Sequence, residues 1–406
     1  MRNGLWNFIG YEYKKILKKR SVRVALVLAV LITVISVPGT LFGTYYIDGE
    51  PFETHRNAMV KDREYARALS GKKLDGVLIM EAVNAYSNIP DTDPYQGTVE
   101  YQNYARPYSG IYGIVRTVYN TQSRRFNMED FQVLPRERAD KFYTQRHDRL
   151  IQIVDDTGMS SKAKAQVLER DTQIKTPLTF SYVDGYTRFF ALTSSIGLTA
   201  AFVLAICIAP LFSGEYTSGA DQLILSSRYG KNKLITAKLL TGFSLAALIC
   251  LVLAALCFGL CLIIFGADGG KAQLQLYMIL SPYPVTMGQT ALILSVCTFF
   301  SCLMAAAITM LLSAKLKSPF GVIILVGLLL IIPMLVSIPE SFVFLYKLFH
   351  LLPTNMAAFW VVMDGIQYEL FGLVIRPYMF LPVFAIVVSI VLTPFTYRSF
   401  KKHQIG

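Results

Sequence analysis

Six long apolar runs constrain this chain more than any other feature. They cover residues 24–46, 189–212, 234–265, 287–312, 320–338 and 379–395, the limits being approximate. A helix rises 1.5 Å per residue, so roughly 20 apolar residues cross a hydrocarbon core of ~30 Å. Charged residues make up only 16% of the 406, too few to coat a soluble protein of this length. The expectation is an all-α polytopic membrane protein with six transmembrane helices. The first run lies behind a basic stretch of about twenty residues and is followed by no Ala-x-Ala site, so it reads as a span rather than a cleaved leader.

Orientation follows from Lys and Arg in the short connections. Arg2, Lys14, Lys15, Lys18, Lys19, Arg20 and Arg23 precede the first run, with Glu12 the only acid among them. Arg228, Lys231 and Lys233, then Lys315 and Lys317, then Arg398, Lys401 and Lys402 fall on the same side if there are six spans. Both termini are therefore expected in the cytoplasm, with residues 47–187 outside. That segment carries 19 basic and 20 acidic residues, and the rest of the chain carries a net +13. The overall charge of +12 thus reflects topology, and no nucleic-acid partner is implied.

The expected organisation is a cytoplasmic amphipathic helix at 1–23 and a first span at 24–46. An extracellular domain follows at 47–187, then spans two to six within 188–398, and a tail at 399–406. Trp6, Ile9, Tyr13, Ile16 and Leu17 recur at helical spacing in the first segment, which suits a helix along the inner membrane surface. In the outer domain, helices are expected over 54–70, 74–87, 128–156 and 160–174, the last capped by Ser160 or Ser161. The Tyr-rich stretch 95–119 is read as strand or loop.

Several chemistries lack their residues. No G-x-x-x-x-G-K-[ST], G-x-S-x-G or H-E-x-x-H occurs, and the four histidines are scattered. All six cysteines fall in the apolar runs, where they read as small packing residues. The runs hold almost no internal charge, whereas ion-coupled carriers keep ionisable groups there. A transporter with neither an ion site nor an ATP site must draw energy from a partner.

Two segments fit such a role. One, at 213–233, opens with Phe212 and Glu215, then Gly219, an apolar Leu223-Ile-Leu225, a Ser226-Ser227-Arg228 corner and, past a basic stretch, Lys238. It reads as a short surface helix whose acid and close-packed glycine dock on a soluble partner. The other, at 339–378, contains Phe349, Pro353, Asn355 and Trp360. It is too broken to span and too apolar for a free loop, so it reads as a re-entrant outer gate.

The Phe-x-x-Glu-x-x-x-Gly pattern with its Ser-Ser-Arg corner resembles type-2 ABC exporter permeases, in a bacterial subset with a large insert between spans one and two. The resemblance implies that 213–233 is a coupling helix contacting a cytoplasmic ABC ATPase. ATP and Mg would be bound by that partner, with no cofactor, metal or catalytic residue in this chain. It also implies a second permease copy or a sister permease, a bacterial plasma membrane, and export of an amphipathic peptide, drug or lipid-like substrate. A sodium-efflux permease and a non-transporting sensor or assembly protein are the alternatives.

Overall fold

The computed structural model describes residues 3–402 except 91, 93, 122, 123 and 228. The chain opens with α1 (Asn3–Leu17) and α2 (Arg20–Ser36). α2 stops earlier than expected. Pro38 and Gly39 interrupt it, and a short 3-10 turn leads into β1 (Thr44–Ile47), paired antiparallel with β2 (Glu50–Thr54). Asp48 and Gly49 both have positive φ, the two-residue turn that an Asp-Gly pair favours. Residues 44–46, assigned above to the first span, belong to this hairpin.

A helical unit follows: α3 (His55–Leu69), α4 (Gly76–Tyr86), α5 (Ser109–Tyr119), α6 (Met128–Gln132), α7 (Arg136–Asp140), α8 (Phe142–Asp155) and α9 (Ser161–Asp171). Their caps explain their starts. Thr54 accepts from the Asn57 N–H, Asp75 from Val77 and Leu78, and Ser160 from Ala163. The helix expected over 128–156 is broken into three, with Pro135 at the N-cap of α7. The Tyr-rich stretch, expected as strand or loop, is helical throughout 101–119, because Tyr101 and Phe131 pack edge-on and Tyr112 tilted against Tyr86 in one cluster.

The apolar helices come next: α10 (Asp184–Ile208), the short α11 (Ser213–Ser218) and α12 (Ala220–Ser226), α13 (Ile235–Phe265), α14 (Met287–Lys315) and α15 (Pro319–Leu335). The chain then forms α16 (Val343–Phe349), α17 (Phe359–Val362), a second hairpin of β3 (Tyr368–Leu370) and β4 (Leu373–Ile375), and α18 (Pro377–Lys401). Among the described residues, the helical segments containing α10, α13, α14 and α18 are the four long and apolar enough to cross a membrane. α2 and α15, at 17 residues, reach about 26 Å each. The expectation of an all-α chain is corrected by the two β-ribbons, which are too small to bury a face of their own.

α10 is the central helix and packs on α2, α13, α14 and α15, while α14 pairs with α18. At the end of the bundle away from the termini, the helical unit α3–α9 is fastened to the loops between apolar helices. Arg146, 3% exposed, donates to the carbonyls of Ile279 (2.7 Å) and Ser281 (3.1 Å) and pairs with Asp171 at 2.7 Å. Leu150, Val154, Met159, Ala163 and Val167 close over Ile366 as a small separate core. Removing one member of a buried ion pair leaves an uncompensated charge. Arg146→Ala is therefore expected to cost about 3–5 kcal/mol. It should also expose the α8–α9 region to limited proteolysis while the apolar helices stay folded.

Candidate coupling site

At the end of the bundle that bears the termini, the chain between α10 and α13 is two helices rather than the one expected over 213–233. Gly219 breaks it: its φ is +66°, and it caps α11 through N–H bonds to the preceding turn. The glycine is not close-packed as expected, since nothing lies within 4 Å of where a Cβ would sit. Its role is conformational, because an L side chain at that φ is strained. The segment re-enters α13 through a π-turn at Gly230–Leu234.

α11 is locked to the ends of four helices. Phe212, fully buried, and Tyr216 pack on Phe400 of α18, the Tyr216 ring stacking at 5.6 Å. The Ser313 hydroxyl of α14 accepts from the Phe212 and Ser213 N–H groups at 3.0 and 3.1 Å and donates to Ala209 O of the turn ending α10. The Tyr216 hydroxyl donates to Ala314 O at 2.8 Å.

Glu215 turns inward. It is 2% exposed, and one carboxylate oxygen accepts from Lys238 Nζ of α13 at 2.6 Å and from Lys15 Nζ of α1 at 2.5 Å. Lys238 is wholly inaccessible and also pairs with Glu12 of α1 at 2.8 Å. Burial alone would raise the Glu215 carboxyl, but Lys238 and Lys15 outweigh it and hold it below its ordinary value. The acid that was expected to dock on a partner instead joins three elements of its own chain. The outward side chain is Leu223, 76% exposed, while Leu225 is buried. Arg228 lies outside the described residues.

Glu12 and Lys15 were not picked out from the sequence as site residues. The signal for Glu12 was present: it falls between Ile9 and Ile16 on the buried face of α1. An acid amid an apolar stripe needs a buried cation. That face is centred nearer Glu12 than the apolar spacing suggested. Trp6 (71% exposed) and Leu17 are left on its flank, pointing away from the protein.

Three of the four residues expected at the gate meet at the opposite end. Phe349, Asn355 and Trp360 line a cavity of about 710 Å³ with Ser194 of α10 and Met334 of α15. Pro353 lies behind it, its carbonyl accepting from the Ser301 hydroxyl of α14. Thr354 donates to Leu330 O at 2.8 Å, and Phe359 stacks on Phe190 with centroids 5.3 Å apart. His350, Tyr346 and Glu340 also face the cavity, and Asp364 sits behind them, accepting from the Tyr346 hydroxyl at 2.8 Å. Among the described residues, no group of three His, Cys, Asp or Glu is placed to hold a metal.

The family model described as ABC-2 family transporter protein matches residues 60–393. The chain belongs to this family. It is thus a multi-pass membrane protein and an ABC permease, a membrane subunit of the kind that works with an ATPase subunit. None of the curated proteins compared with it matches.

Lys238→Met in this permease would leave Glu12 without its partner, and is expected to cost about 3–5 kcal/mol in detergent unfolding. Glu215→Gln should cost less, because Lys238 keeps Glu12. At the other end, burial pushes Asp364 up to about 6 and His350 down to about 4. Folded Asp364 holds its proton more tightly than the unfolded group, so its contribution to stability grows as pH falls through 6. Folded His350 holds its proton more weakly, so its contribution is lost as pH falls below about 6.5. Between pH 7 and 5, His350→Gln is therefore expected to gain thermal stability and Asp364→Asn to lose it, each on the order of 1 kcal/mol.

Proposed function

We propose that this ABC permease is the membrane subunit of an ATP-driven exporter for an amphipathic substrate. In this reading α2 and α15 complete six spans, both termini are cytoplasmic and the α3–α9 unit lies outside. A separate ATPase binds beneath α11–α12, and two permease chains enclose the pathway. The observation that carries the reading is the buried Glu215–Lys238–Glu12 cluster, joined from its exposed side by Lys15. It makes α1, α11 and the start of α13 one mechanical body, with Leu223 presented on its surface.

A push on α12 would reach α13 through Lys238, and α10 and α14 through Ser313. ATP would supply the energy by binding one arrangement of the assembly more tightly than the other. The cavity at the opposite end combines apolar walls with Ser194, His350 and Asn355, a lining suited to an amphipathic molecule.

The test is affinity capture of the tagged permease from mildly solubilised membranes, followed by an ATPase assay. Leu223→Arg is expected to leave the unfolding temperature unchanged, since exposed positions tolerate substitution. It should lower ATPase recovery by about tenfold, the equivalent of ~1.4 kcal/mol at the contact. Glu215→Gln is expected to retain the ATPase and lose transport. Recovery of the wild-type chain without any ATPase under all mild conditions would sink the reading.

A further inference from the structure

Among the described residues three arginines are buried, and two of them are neutralised: Arg106 by Glu53 and Asp62, Arg146 by Asp171. Arg170 of α9, 8% exposed, is different. It donates only to amide oxygens, Gln367 Oε1 at 2.7 Å and Gln166 Oε1 at 3.0 Å, and no described carboxylate lies within ion-pair distance. Two of its five N–H donors are thus used. Its neighbour Arg376, half-buried at the start of α18, has no ion pair among the described residues either and donates to the Tyr378 hydroxyl at 2.6 Å.

The two guanidiniums are linked through one chain of hydrogen bonds and a ring contact. Gln367 donates to the Tyr283 hydroxyl at 2.9 Å, and the Tyr283 and Tyr378 rings meet edge-on at 5.3 Å. Nearby acids are otherwise engaged or remote: Asp171 holds Arg146 and His147, Asp364 holds Tyr346, and Glu169 faces solvent. Burial, and then Arg376, push the Arg170 guanidinium below its ordinary value. A buried, unpaired charge beside a second like charge is costly, by several kcal/mol per ion.

We propose that Arg170 and Arg376 form an anion site that takes a phosphoryl group. Their free N–H donors are of the kind that binds phosphate oxygens in a fork, and the bound anion supplies the missing counter-charge. The site rests on the reading of α18 as a membrane span. Arg376 immediately precedes its first residue, Pro377, the level of lipid phosphates at a membrane surface. The phosphate of an anionic lipid and a free phosphate share this chemistry.

The test uses the full-length permease, stripped of lipid in detergent. One arm adds inorganic phosphate. The other reconstitutes the chain in phosphatidylcholine discs with or without phosphatidylglycerol. Unfolding temperature and native mass spectrometry of retained lipid are read in both. Wild type is expected to be stabilised by phosphatidylglycerol, and Arg376→Gln to bind it about tenfold more weakly, the loss of a charge-assisted hydrogen bond. Arg170→Met should be at least as stable as wild type without lipid and gain nothing from it. Stabilisation by inorganic phosphate as well identifies a free anion as sufficient, and its absence identifies the lipid headgroup. Equal response of wild type and both variants to each probe overturns the proposal. No ATPase is involved in any arm, so the result is independent of the exporter reading.

Discussion

Lys238 is an ammonium group with no access to water, and the end of the bundle bearing the termini is built around that fact. Desolvating such a charge costs several kcal/mol unless carboxylates meet it with good geometry. The two that do, Glu12 and Glu215, come from segments distant in the chain. Neither α1 nor α11 can leave without exposing the cost, so the three elements stand or fall together. Charge-assisted hydrogen bonds of this kind are short and directional, so they hold the groups they join in one geometry. In the exporter proposed above, such a joint would pass a small displacement on rather than absorb it.

The bundle was legible in the sequence because bilayer spans are long and their signal is local. Helix existence and order follow from apolar runs alone, and α10, α13, α14, α15 and α18 each lie where a run was. What was not legible depends on partners far along the chain. The end of α2 was masked because Thr44–Ile47 is apolar enough to extend a hydropathy run, although Asp48-Gly49 marks a hairpin. The Tyr-rich stretch became helical through packing between aromatic rings, which outweighs local propensity. Phe212, Glu215, Gly219 and Lys238 were found by their pattern, but a pattern gives no direction. That Glu215 points inward is decided by Lys238, on the next long helix, together with Lys15, two hundred residues earlier.

The far end of the molecule uses a different balance. Two of its buried arginines, Arg146 and Arg170, join the α3–α9 unit to the loops linking apolar helices, so the unit is not a bead on a tether. Arg146 binds backbone carbonyls at Ile279 and Ser281, and Arg170 binds Gln367, each reaching across more than a hundred residues. A carbonyl contact holds its place whatever side chains surround it. The cavity beside this network has one wall on α16, whose Tyr346 packs on the α8–α9 core, and others on α10 and α15.

One helix is bonded at both ends of this arrangement. On α14, Ser313 holds the start of α11, and Ser301 holds the Pro353 carbonyl beside the cavity. The two serines are twelve residues apart, about 18 Å along one unbroken helix. An α-helix of this length bends little, because its hydrogen bonds are satisfied internally and its packing on α18 runs along it. A tilt at Ser313 must then appear at Ser301, whereas a local rearrangement of α11 that leaves Ser313 in place would not. In the exporter proposed above, coupling would therefore be rigid-body motion of α14, with Ser313 as the point where α11 grips it.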